Sequence, residues 1–119
     1  MLSKGHAYEQ KAEQFLVTKG YKLLDKNYHT RRGEVDLIMT SGASLIFIEV
    51  RYRKNASFGS AEESITRAKQ AKIIYSARHY ISKHKLWHMN IQFDVVTLTP
   101  DIRENTLQLN WLKNAFTAG

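Results

Sequence analysis

The chain has 119 residues, with 18 Lys and Arg against 11 Asp and Glu and a formal net charge of +7. It has no cysteine, which excludes disulfide frameworks, thiolate zinc sites and cysteine nucleophiles. No apolar run approaches the roughly 18 residues that cross a bilayer, and the opening MLSKGHAYEQK lacks the apolar core of a signal peptide. The expectation is one globular domain over residues 1–119, in the cytoplasm and without membrane contact. The basic excess favours a polyanionic partner, because each neutralised phosphate releases condensed counterions. A basic surface kept for solubility is the alternative.

Residues 5–19 read as a helix: Tyr8, Ala12, Phe15 and Leu16 recur at helical spacing, and Gly20 suits the C-terminal cap. Glu9 lies at the border of that apolar stripe. Residues 21–29 alternate loosely and predict a first strand, broken by Arg31-Arg32-Gly33. Residues 34–40 and 44–53 are strand-like runs around Ser41-Gly42-Ala43, which predicts an antiparallel hairpin. A loop at 55–59 precedes the longest helical stretch, 61–84, which holds no Pro or Gly. There Ala68, Ala71, Ile74, Tyr75, Ala77 and Ile81 fall on one arc, and Lys69, Lys72, Ser76, His79 and Lys83 line the opposite side. Residues 91–99 predict a further strand closed by Pro100, then a short strand at 106–109 and a short amphipathic piece at 111–116. This order suits an α/β fold with helices packed on a mixed sheet.

The hairpin carries the chemistry. A loop at 41–44 sets Asp36 opposite Glu49 and Glu34 opposite Arg51. One face is then Val35, Leu37 and Met39 against Ile46, Ile48 and Val50, an apolar core face. The other gathers Glu34, Asp36, Glu49, Arg51 and Arg53 at the end far from the loop. Carboxylates opposed across a strand pair are about 5 Å apart at Cβ and repel. Solvent, a shared proton or a cation could tolerate them; solvent fits least among such apolar neighbours. A hard divalent cation fits best, since one or two carboxylates hold Mg²⁺ and leave its other positions to water and phosphate. A ladder in which Arg51 and Arg53 neutralise Glu34 and Glu49 is the competing account.

Gly33-Glu34-Val35-Asp36-Leu37-Ile38 followed by Phe47-Ile48-Glu49-Val50-Arg51 resembles the D-x(n)-E-x-K core of the restriction-endonuclease-like (PD-(D/E)xK) nucleases. More closely, the chain is similar to the YraN-like family of small bacterial proteins. That likeness runs through Gly5, Glu9, Ala12, Leu16, Asn27, Phe58-Gly59, Ser64, Lys69, Lys72 and Phe93-Asp94-Val95-Val96. A more distant likeness, in fold and site pattern, reaches archaeal Holliday junction resolvases. The resemblance implies a restriction-endonuclease-like core: a mixed sheet, its first three strands antiparallel, flanked by an N-terminal and a long central helix. It also implies Mg²⁺- or Mn²⁺-dependent hydrolysis of DNA, with branched or damaged DNA as one class of substrate. Asp36 and Glu49 would be the metal-binding acids and Glu9 an additional acid of the site.

The position after Val50, normally lysine in those nucleases, is Arg51. Arginine offsets charge but cannot easily exchange a proton, because its pKa exceeds about 12. Three readings follow. Arg51 acts only electrostatically; an amine from Lys69 or Lys72 fills the role; or cleavage is lost and a non-catalytic nucleic-acid-binding module remains. A protein-interaction subunit of a DNA-processing assembly is a further alternative. Gln92 also departs from the family pattern, which has arginine before Phe93. Arg31, Arg32, Arg53, Lys69 and Lys72 are the candidate phosphate-backbone contacts. No sequence feature separates DNA from RNA, and a homodimer is compatible with the resolvase likeness. His84 and His88 are spaced i, i+4, yet no HExxH pattern accompanies them, and they read as surface imidazoles. Tyr28 and Tyr52 read as packing residues. Phosphate-cradling glycine loops, nucleophile elbows and dinucleotide fingerprints are absent from the sequence.

Overall fold

The computed structural model describes residues 4–54 and 65–118. Elements follow in the order α1 (Lys4–Thr18), β1 (Lys22–His29), β2 (Glu34–Ser41), β3 (Ser44–Tyr52), α2 (Arg67–His84), β4 (Asn90–Asp101) and β5 (Thr106–Phe116). They form one five-stranded sheet in the order β1-β2-β3-β4-β5. β1, β2 and β3 pair antiparallel, β3 and β4 pair parallel through α2, and β5 returns antiparallel to β4. This is the mixed α/β arrangement expected, with an N-terminal and a central helix. Among the described residues no helix is long and apolar enough to cross a membrane.

The helices take opposite faces of the sheet. Ala12 and Leu16 of α1, with Tyr21, pack on Leu37, Met39, Ile46, Ile48, Val96 and Leu98. On the other face Ile73, Ala77, Tyr80 and Ile81 of α2 cover Val35, Ile38, Leu45, Phe47 and Phe93. Alternation along β3 is clean: Ile46, Ile48 and Val50 face α1, while Leu45 and Phe47 face α2.

Several elements differ from their sequence-based expectation. The long helix starts at Arg67, where Thr66 caps it by accepting the Lys69 N–H at 3.1 Å. Residues 61–64 of the expected helix, and the loop at 55–59, lie outside the described residues. Pro100 does not close β4 but lies within it, paired with Leu107. Past Leu98 the strand has β5 on one side only, a setting that tolerates a missing N–H. The separate strand and amphipathic piece at the tail are one strand, β5, made irregular by Asn114 at φ 54°.

The expected faces of α2 also shift. Ala68 and Ala71 are exposed, whereas Ser76 is fully buried. Ser76 meets Thr30 of the β1–β2 loop at 2.8 Å between hydroxyls, so a polar residue sits comfortably inside. Gly33 lets that loop lie against the helix, since a Cβ there would approach the Lys72 Cβ to 3.1 Å. The helix is thereby rotated so that Lys69, Ile73, Ser76 and Tyr80, spaced i, i+4, i+7 and i+11, share the inward side.

Candidate metal and nucleic-acid site

The expected register holds. The β2–β3 ladder runs from Ser41↔Ser44 to Leu37↔Ile48, which puts Asp36 and Glu49 one step beyond its last pair. There the strands stop pairing, and the Asp36 side chain takes over the ladder's role: the Val50 N–H donates to Asp36 Oδ2 at 2.8 Å. β1 deforms at the same level. Asn27, which falls opposite Asp36, adopts a left-handed backbone at φ 54°, a conformation asparagine tolerates better than most residues. Its side chain hydrogen-bonds Glu9 of α1. One consequence corrects the expected face pattern. Val35 packs with Ile38, Leu45 and Phe47 on the α2 face rather than with Leu37 and Met39. The left-handed residue in β1 and the parting of β2 from β3 interrupt the two-residue alternation here.

Asp36 and Glu49 are only 6% and 7% exposed. Burial, then the neighbouring Glu49 charge, then Glu9 and Glu34, push the Asp36 carboxyl up from 3.8 to about 8, against the opposing Val50 hydrogen bond. Glu49 is also raised by burial, with Lys69 and then Arg51 pulling it back. Glu9 is raised by burial and by Glu34, and is relieved by His6, Asn27 and Lys26. Four carboxylates thus sense one another where β2 parts from β3. Burial and mutual repulsion thus favour the protonated form of the Asp36–Glu49 pair.

The cations are unevenly placed. Lys69 Nζ lies 3.8 Å from Glu49 Oε1, so the helix side read from sequence as a basic outer stripe delivers an amine to the acid pair. Arg51 is half-buried beside Glu49. The Arg53 N–H ties the end of β3 to the Leu98 carbonyl at 2.8 Å. Arg31, Arg32 and Lys72 are exposed on the loop and helix bordering the site. Arg32 stacks over Tyr75, its guanidinium carbon 5.0 Å from the ring centroid. His29, at the rim, meets Glu34 at 3.2 Å. Beside Glu9 a cavity of about 390 Å³ is bounded by His6, Gln10, Glu13, Lys26 and Asn27.

The chemistry of the donor set fits a hard cation. Two adjacent carboxylates supply anionic oxygen, and Mg²⁺ takes one or two of these together with water and phosphate oxygens. Among the described residues no three His, Cys, Asp or Glu side chains gather closely enough to enclose an ion by themselves.

The sequence of this site places the chain among its relatives. The family described as "Uncharacterised protein family UPF0102" matches residues 8–98, which span α1 through most of β4. The chain belongs to the UPF0102 family. It is 41% identical over 117 residues to a UPF0102 protein of Vibrio campbellii, covering 97% of this chain and 93% of the relative. A UPF0102 protein of Saccharophagus degradans is 47% identical over 107 residues, covering 89% and 86%, and one of Legionella pneumophila is 45% identical over 117 residues, covering 98% and 96%.

A third buried acid of this UPF0102 protein belongs to a different kind of site. Asp94 of β4, 1% exposed, accepts from the Tyr21 hydroxyl at 2.9 Å, the Trp111 indole N–H at 2.8 Å, the Gln92 amide at 2.9 Å and the Asn114 backbone N–H at 3.1 Å. It fastens the irregular end of β5 to β4 and to the start of β1. In the sequence Asp94 stands out only as a position of the family likeness; its donors Trp111, Asn114 and Tyr21 lie 17, 20 and 73 residues away, and Gln92 lies 2 away. Gln92, read as a departure from pattern, also donates to the Tyr21 hydroxyl at 2.9 Å and completes this network. Tyr28 and Tyr52 pack as expected, Tyr28 edge-on to Tyr80 and Tyr52 stacked on Tyr8 at 4.6 Å. His84 ends α2 and Lys85 turns left-handed, so His84 and His88 do not share a helix face.

Proposed function

We propose that this protein is a Mg²⁺- or Mn²⁺-dependent nuclease of the restriction-endonuclease-like superfamily that hydrolyses phosphodiester bonds in DNA. One observation carries the reading: two buried carboxylates, Asp36 and Glu49, side by side at the carboxyl end of β3, with a lysine amine 3.8 Å from one of them. In sheets with parallel strands, ligands are taken up beyond those carboxyl ends. Asp36 and Glu49 would hold the ion, and Glu9 adds negative charge at the edge of the site. The ion, when bound, supplies charge neutralisation at the phosphate under attack.

The chain's own residues do the rest. Lys69 reaches from α2 to within 3.8 Å of Glu49, and it can donate to the attacking water or to a phosphate oxygen. Arg51 keeps a fixed positive charge beside the negative charge that develops there. Arg31, Arg32, Arg53 and Lys72 hold the flanking backbone. Asp36 would have to give up its proton to hold the ion, so loading would depend on pH.

Purified protein incubated with branched, single-stranded and duplex DNA in Mn²⁺ tests the proposal. Cleavage abolished by Asp36→Asn and by Glu49→Gln supports it; no cleavage, or cleavage unaffected by Asp36→Asn, refutes it. A second reading, a non-catalytic nucleic-acid-binding module, is favoured by Arg51 standing where nucleases carry lysine. It predicts salt-sensitive binding that is indifferent to Mn²⁺, and Mn²⁺ uptake lost in Glu49→Gln excludes it.

A further inference from the structure

Next to the acid pair lies a recess of about 300 Å³ between the β1–β2 loop and the first half of α2, lined by Arg32, Ala71, Lys72 and Tyr75. Its volume is at the small end of ligand pockets. Its floor is made by the half-buried Tyr75, with the small Ala71 beside it and the exposed cations Arg32 and Lys72 on its walls. The recess is built rather than accidental. Gly33 lets the loop press on Lys72, and the Thr30 hydroxyl bonds both the Gly33 carbonyl at 3.0 Å and Ser76 at 2.8 Å. This holds Arg32 over the Tyr75 ring, 5.0 Å from its centroid.

We propose that this recess binds one unpaired nucleotide of the substrate strand, its base stacked on Tyr75 and its phosphate held by Arg32 and Lys72. The chemistry is that of single-strand readers: an aromatic face accepts any base, and flanking cations take the backbone. Arg32 already occupies the aromatic face. A planar guanidinium stacks on a base as readily as on tyrosine, so an entering base displaces Arg32 from the ring and the guanidinium can restack on the outer face of the base. A base inside a duplex cannot reach Tyr75 unless it is first unstacked, which costs a few kcal/mol. The recess therefore selects single strands, flaps or branch points.

Its position links it to the proposed reaction, on which this inference rests for its meaning. Lys72 follows Lys69 by three residues, about one helical turn or 5 Å along α2, and Lys69 touches Glu49. Arg32 precedes Asp36 by four residues. A nucleotide in the recess would thus lie immediately beside the phosphate presented to the acids.

The test measures binding in EDTA, where no cleavage occurs. Fluorescein-labelled oligothymidylate and a duplex with the same number of phosphates are titrated with the full chain across a series of salt concentrations. We expect tighter binding to oligothymidylate. Tyr75→Ala should weaken it five- to a hundredfold, the loss of one base–aromatic stack, with the salt slope and duplex binding unchanged. Tyr75→Phe should keep wild-type affinity, and Arg32→Ala should lower the salt slope by about one. Oligothymidylate affinity unchanged in Tyr75→Ala, or lowered equally for duplex, overturns the inference, with circular dichroism confirming the fold. The two proposals fail separately. Tyr75-dependent binding without Mn²⁺-dependent cleavage sinks only the nuclease; cleavage without Tyr75-dependent binding sinks only the recess.

Discussion

Replacing Asp36 by asparagine should make this protein more stable, and more so the higher the pH. In the folded chain burial and three acidic neighbours hold the Asp36 carboxyl at about 8 instead of 3.8. Between these values the folded state keeps a proton that the unfolded state has released. Stability then falls as pH rises, by about 1.4 kcal/mol per pH unit for one proton. Below about 4 both states hold the proton and nothing is lost; above about 8 the loss is complete and approaches 6 kcal/mol. That is a large share of the 5–15 kcal/mol that stabilises a typical domain.

Asparagine keeps an oxygen for the Val50 N–H and carries no charge. At pH 5 we expect wild type and Asp36→Asn to unfold within about 1 kcal/mol of each other. By pH 8.5 the gap should have widened by about 4 kcal/mol in favour of the variant, or roughly 15 °C in Tm for a chain of this length. Urea and thermal unfolding at pH 5, 7 and 8.5 measure the difference. Titrating groups away from the acid cluster cancel between the two proteins, so the widening gap reports on Asp36 together with the Glu49 charge it senses. A gap that stays flat with pH, or a variant less stable at pH 8.5, would refute the crowded-acid account.

Other expectations follow from the same geometry. Saturating Mn²⁺, at 100 times its Kd, should stabilise wild type by about 2.7 kcal/mol and leave Asp36→Asn unchanged. Calorimetric Mn²⁺ affinity should rise up to tenfold per pH unit between 6 and 8, with one proton released to buffer; pH-independent binding would exclude Asp36 as a ligand. Lys69→Met should leave the unfolding free energy within about 0.5 kcal/mol of wild type, as a part-exposed ion pair predicts, while Mn²⁺-dependent cleavage falls at least a hundredfold. Asp94→Ala, which strands buried donors around β4, should cost about 3 kcal/mol in urea unfolding without changing Mn²⁺ affinity. Gly33→Ala should cost about 1 kcal/mol, because the loop must move off Lys72.

The parts of the site that were legible in the sequence are those set by short-range geometry. Ser41 to Ser44 fixes the hairpin, and from that closure the register carries Asp36 to Glu49 without further information. Apolar alternation in β3 is equally local. What was not legible depends on partners far along the chain. Ser76 reads as a solvent residue until Thr30, 46 positions earlier, is placed against it. Val35 reads as a neighbour of Leu37 until Asn27 in the adjacent strand turns left-handed. The side of α2 that presents Lys69 to Glu49 follows from the same docking of the β1–β2 loop, so the amine's role could be offered only as one option among three. β5 was cut short because an edge strand with polar outward residues, such as Gln108 and Asn110, carries a weak pattern.

Asp36 and Asp94 show why the metal reading is preferred over a purely structural one. Both are buried aspartates on the central sheet, 6% and 1% exposed. Asp94 is surrounded by four donors, which is how a fold accommodates a buried carboxylate that it uses as a fastener. Among the described residues Asp36 has one backbone donor and three acidic neighbours, and Glu49 beside it is offset by a lysine at 3.8 Å and a half-buried arginine. The described residues therefore contain the solution to burying an aspartate and do not apply it at position 36. A neutral side chain there would keep the Val50 hydrogen bond and remove the repulsion. Folding alone gives no reason for the acid, whereas a cation entering between the two carboxylates would turn the arrangement's main cost into its binding energy.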